Sequence, residues 1–183
     1  MGRRSVGFLI LLLLASAARG EDAKIRNLQA LEEADRISVS FDLVGAFDAP
    51  EIRRAIESGL PTVLAYDLEL IRKRPNWFDD TVSRARLEVV ATYNSVTREY
   101  LLNYRRDRRL VRSEIFTSLD ELKARMSRID EPDLFSTAGR KPWKLRVRVR
   151  AELLRRYVWY IVPWDVATPW EDTRVESTAG GTS

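Results

Sequence analysis

The 183-residue sequence contains no cysteine and no histidine. Without cysteine there is no disulfide framework and no lipid-bearing cysteine, so stability has to come from a packed core, and thiol chemistry is excluded. Without histidine, the usual general base at neutral pH and the commonest zinc ligand are missing, which removes histidine-based triads and dyads. The eight glycines form neither a phosphate-cradling loop nor a nucleophile elbow. No apolar run reaches the ~20 residues that a membrane-spanning helix needs.

One short apolar run is present. Arg3 and Arg4 precede Val6 to Leu14, and small residues follow up to Ala18-Arg19-Gly20 and the polar Glu21-Asp22. That spelling predicts a secretory signal peptide over residues 1–20, cleaved after Gly20 and carrying the protein to the periplasm. A retained anchor is the alternative, and the run is short for one. Removing Arg3, Arg4 and Arg19 leaves 28 basic against 27 acidic residues, a net charge of +1. The pI of about 9.6 therefore implies no nucleic-acid partner. The remaining 163 residues suit one domain of ordinary size.

The patterning is mostly that of strands. In "RISVSFDLVG", Ile37, Val39, Phe41 and Leu43 alternate with Ser38, Ser40 and Asp42, which predicts a half-buried strand; "KIRNLQALEE" before it is a weaker one. Asp48, Glu51, a first-turn proline and Gly59 frame a short capped helix. A strand from Thr62 to about Arg72 follows, then three more through "RARLEVVATYNS" and "TREYLLNYRRDRRLVRSEIF", with a turn near Asp107. Ser118 with Glu121 forms a second capping box and opens a second helix. Residues 130–142 read as a loop, "WKLRVRVRAELL" as the most regular strand, and the acidic, then glycine-rich residues 171–183 as a disordered tail. The expected fold is α+β, a mainly antiparallel sheet with two short helices over residues 21–170. The recurrence of strand, strand, helix, strand suggests a duplicated unit.

Three stretches are candidates for function. Lys144, Arg146, Arg148 and Arg150 alternate with apolar residues, which lines up four cations about 7 Å apart on one strand face. Such a row is either neutralised by Asp67, Glu69 or Glu88 on neighbouring strands, or it is a docking surface for an acidic protein, anionic lipid headgroups or an envelope polyanion. "YVWYIVPWDVATPW" carries three of the five tryptophans; Trp164 and Trp170 either close an edge of the core or form an exposed platform for a protein or glycan. "RKRPNWFDD" packs three cations, two rings and two carboxylates between two strands. Asp79-Asp80 and the acids Asp130, Glu131 and Asp133 lack the spacing of a calcium loop, and no metal or cofactor is expected.

The order Gly59-Leu60-Pro61, then Arg72, Arg74, Trp77, Phe78 and Asp79, Tyr93-Asn94 and Thr97-Arg98-Glu99-Tyr100 resembles a bacterial exported family catalogued as domain of unknown function 4390. "FTSLDEL" and the closing Trp164-Asp165, Thr168 and Trp170 are similar to its later landmarks, so the resemblance spans nearly the whole chain after the leader. Val96 stands where the family leads one to expect leucine. The resemblance implies an envelope location and genes often near those of sensor kinases; it brings no activity and no catalytic residues. Pro75 should hold Arg74 extended, with Trp77 and Phe78 folded over the core edge and Arg72, Arg74 and Asp79 satisfying one another at a crossover.

The expected function is a non-enzymatic interaction or accessory module of the cell envelope. Its partner, of which a sensor kinase is one example, would meet Arg146 and Arg148 or Trp164 and Trp170. A small-molecule or glycan binder using Trp77, Tyr93 and Tyr100 is the second reading. A hydrolase built on two converging carboxylates is the third.

Overall fold

Two mainly antiparallel sheets packed face to face carry the chain in a computed structural model that describes residues 23–47, 50–74, 78–137, 139–154 and 166–178. In chain order the elements are β1 (Lys24–Glu33), β2 (Arg36–Val44), α1 (Pro50–Glu57), β3 (Thr62–Arg72), β4 (Asp80–Asn94), β5 (Glu99–Arg106), β6 (Arg109–Phe116), α2 (Leu119–Ser127), β7 (Arg128–Ser136), a 3-10 turn (Pro142–Lys144), β8 (Leu145–Leu154), β9 (Val166–Ala167), β10 (Glu171–Arg174) and β11 (Glu176–Ser177). Among the described residues the small sheet runs β11-β1-β2-β7 and the large one β10-β8-β3-β4-β5-β6, with β9 beside β8. This is the expected α+β class, mainly antiparallel with two short helices. The order strand, strand, helix, strand occurs as β1-β2-α1-β3 and again as β5-β6-α2-β7. Each time the helix carries the chain from one sheet to the other.

Period-two alternation decides which face each strand buries. Ile37, Val39, Phe41 and Leu43 of β2 meet Leu64, Tyr66, Leu68 and Leu70 of β3 in one core, with the Phe41 and Tyr66 rings edge to face at 5.2 Å. Leu122 and Met126 of α2 close one side of it, and the fully buried Tyr66 hydroxyl donates to the Met126 carbonyl at 3.2 Å. Ser118 caps α2 by accepting from the Asp120 N–H. Two hairpins turn on two residues in the left-handed region, Ala34-Asp35 and Asp107-Arg108, the geometry that matches strand twist.

Three expectations are corrected. Residues 130–136 are not loop but the greater part of β7, whose Ile129, Glu131 and Phe135 point inward; Arg106 of β5 neutralises the buried Glu131 at 2.5 Å and so ties the two sheets together. Residues 171–177 are not a disordered tail: β10 pairs with β8, and β11 lies parallel to β1. Val175 between them is buried, and its N–H bonds to the Leu145 carbonyl. Backbone pairing and ion pairs compensate there for the scarcity of apolar side chains. Lastly, Arg72 to Asp80 is a hairpin connection rather than a crossover, since Arg72 and Asp80 are register partners. The predicted leader lies outside the described residues.

Candidate functional site

The outer face of the large sheet, turned away from the core, carries the charge. Register places Asp67 of β3 between Arg86 of β4 and Arg150 of β8, and Glu69 between Arg84 and Arg148. Each acid is thus flanked by two guanidinium groups. Asp67 accepts from Arg86 at 2.6 Å and from Arg150 at 2.9 Å; Glu69 accepts from Arg84 at 3.0 Å and from the Arg148 Nε at 2.8 Å. Glu152 joins Arg86 and Arg150 at 3.0 and 3.1 Å, and Asp172 of β10 pairs with Arg146. The basic row predicted from alternation therefore exists in β8, but each of its arginines has its own carboxylate. Lys144 falls outside it, in the 3-10 turn.

Burial alone would raise the carboxyls of Asp67 and Glu69, but the arginine hydrogen bonds on either side outweigh it and hold both below the ordinary carboxylate range. Both are carboxylates at neutral pH and neither is a proton donor. The same pairing raises Arg86 against the opposing effect of its burial.

Trp170, between β9 and β10, covers one end of this ladder. The Arg148 and Arg150 guanidinium carbons each lie 4.8 Å from its ring centroid, and 37% of the residue remains exposed. Below it opens a concavity of about 300 Å³, whose charged walls are Asp67, Glu69, Arg84, Arg86, Asp107 and Arg150. It is a recess with charged side walls and one indole wall. Trp170 is held there by Thr168, whose N–H bonds to the Ala151 carbonyl and whose hydroxyl accepts the Ala151 N–H, both at 2.9 Å. The buried Thr168 hydroxyl thus takes the place of a strand carbonyl as the acceptor for Ala151, directly before Pro169.

The other predicted site residues do not converge on this recess. Tyr93 and Tyr100 are cross-strand partners with rings 4.8 Å apart; Tyr100 is buried and Tyr93 packs against the core, so they are a structural pair rather than the wall of a pocket. Arg72 and Arg74 both donate to Asp80, at 2.6 and 3.0 Å, and Asp80 rather than Asp79 is their partner. These hydrogen bonds, the Arg72 one first, hold the Asp80 carboxyl below its usual value. Phe78 does not fold over the core edge but stands 88% exposed. Trp77 and Trp164 lie outside the described residues.

Asp67 and Glu69 were legible as partners of the basic row, but Arg84, Arg86, Asp107 and Glu152 were not anticipated. The alternation of Arg84, Arg86 and Glu88 in "SRARLEV" was the available signal. Another family landmark, Asn94 to Glu99, is turn chemistry: the Asn94 side chain accepts the Val96 N–H at 3.0 Å and the Thr97 N–H at 3.4 Å, and Arg98 has φ +59. Among the described residues no group of three or more acids could hold a metal ion, and no helix is long and apolar enough to cross a membrane.

Neither a curated protein nor a solved structure matches the chain. A family model described as a domain of unknown function, DUF4390, matches residues 20–173, which takes in β1 to β9 and the Trp170 ladder. The chain therefore belongs to the DUF4390 family.

Proposed function

We propose that the protein is an exported, non-enzymatic interaction module of the cell envelope, and that the Trp170 end of the charged ladder is the surface that meets its partner. The observation that carries this reading is Trp170 itself, a partly exposed indole fixed over two arginines that are already paired with Asp67 and Glu69. Tryptophan and arginine dominate the energetic centres of protein interfaces, and side chains ordered before binding lose little entropy on docking. With every arginine of the row compensated, the face has no uncancelled positive field to attract anionic lipid or a polyanion. A protein surface of mixed charge fits it better, and a sensor-kinase input domain is one such partner.

The electrostatics also favour binding over hydrolysis. Two-carboxylate hydrolases need one acid raised to donate a proton, whereas Asp67 and Glu69 are both lowered.

The test is affinity capture from gently solubilised envelope extract, comparing the unaltered protein with a Trp170→Ala variant whose fold is verified by circular dichroism. A defined protein retained by the first and lost by the second supports the reading. Equal retention, or none by either, overturns it.

The recess beneath Trp170 gives one ground for a second reading, a glycan or small-molecule binder, because an indole beside carboxylates and guanidinium groups suits a sugar ring. Titration with envelope oligosaccharide fragments would then change the tryptophan fluorescence of the unaltered protein more than that of Trp170→Ala.

A further inference from the structure

The large sheet ends in β6, an edge strand with no neighbour beyond it among the described residues. Most long edge strands are short-paired, covered or studded with lysine to prevent edge-to-edge association. This one has apolar residues on its outer face: Leu110, Val111 and Ile115 are 61%, 53% and 64% exposed, and Leu101 of β5 lies opposite Ile115. The register shift between Tyr104 and Arg105 leaves Val111 as the extra residue of a bulge. From Arg112 to Phe116 the strand is regular.

From the order of charges along this edge we infer that β6 pairs antiparallel with β6 of a second copy, about a two-fold axis at Ser113. A homodimeric strand pair must match residues of equal parity, because only alternate residues aim their N–H and C=O groups outward. Centring on Ser113 satisfies that condition. It sets Arg112 of each copy against Glu114 of the other, Val111 against Ile115, and Ser113 against itself. Opposite charges then meet on one face and apolar side chains on the other, the two cross-strand pairings that stabilise a sheet.

The longer charge pattern agrees. Exposed Arg105, Arg108 and Arg109 surround the hairpin that starts β6, and exposed Asp120 and Glu121 open the helix that follows it. An antiparallel dimer brings the basic end of each copy to the acidic end of the other, whereas a parallel pairing would bring like charges together. Within each copy Arg112 stacks on the Tyr104 ring at 4.1 Å and pairs with Glu114 at 2.8 Å, and Glu114 is also held by Arg125 at 3.0 Å, so both charges are ordered before a second copy meets them.

The absence of cysteine allows a direct test. A single Ser113→Cys variant places the two sulfurs opposite each other at a separation suited to a disulfide, while in Val111→Cys they are offset by four residues along the strand. Mild oxidation of the purified protein is expected to give a covalent dimer with Ser113→Cys and little with Val111→Cys. Sedimentation of the unaltered protein over a concentration series is expected to show a monomer–dimer equilibrium. Arg112→Glu and Glu114→Arg, each placing like charges opposite, should abolish the dimer, and the double exchange should restore it. A monomer throughout the series, or equal cross-linking of the two cysteine variants, overturns the inference.

Discussion

Thr168 and Ala151 exchange two hydrogen bonds, one through the backbone of Thr168 and the other through its hydroxyl, and this pair anchors the segment carrying Trp170 to β8. Thr168→Val keeps shape and β-branching but leaves the buried Ala151 N–H without an acceptor. The expected cost is about 1 to 3 kcal/mol, measured as a lower urea midpoint with an unchanged slope. The Arg148–Trp170 stacking should loosen with it, visible as a shift in tryptophan emission.

Acid should weaken the protein through the ladder. Because Asp67 and Glu69 titrate below their unfolded values, their contribution is fully present above the ordinary carboxylate range near pH 4. It is lost as pH falls through the lower folded values. Urea midpoints between pH 6 and pH 2.5 should fall with pH, and Glu69→Gln should make that fall shallower.

Tyr66 gives the opposite sign. Burial, with a smaller contribution from Tyr104, raises its phenol far above the ordinary value of 10.0, so its contribution is complete below about pH 10 and declines as pH rises further. Tyr66→Phe should flatten that alkaline loss. At neutral pH it should cost about 1 to 2 kcal/mol, because the Met126 carbonyl loses its donor. Thermal unfolding at pH 7 and at pH 10.5 checks both statements.

The strands that border the core from both sides were the ones legible in the sequence. β2 and β8 alternate strictly and β3 does so from Tyr66 to Leu70, and the pairing of Asp67 and Glu69 with the arginine row followed from that alternation. β7 was not legible, because its sequence "RIDEPDLFS" buries a glutamate where the pattern calls for an apolar residue and contains a proline and Asp133 at φ +51. It is a strand by its pairing with β2, and the partner that makes its buried glutamate tolerable, Arg106, lies on another strand. The 171–177 segment was hidden for a related reason: Val175 is its single buried apolar residue, and the remainder is held by backbone pairing. In both places tertiary partners override local composition.

Ending the chain after Trp170 should accordingly do more than trim a tail. It removes Val175, whose burial alone is worth about 1.5 to 3 kcal/mol, and uncovers the edge of β8. The truncated protein should unfold at lower denaturant and aggregate on standing, measured by chemical denaturation and light scattering.

The pairing of β11 with β1 has a temporal side. Leu31 and Glu32 near the start of the described chain join Glu176 and Ser177 near its end, with the Ser177 hydroxyl on Glu32 at 2.6 Å. The Glu32–Ser177 contact closes a loop of 145 residues, an arrangement that slows folding because the two segments must meet before the gain is realised. The small sheet is thus finished only when β11, made long after β1, comes to lie beside it.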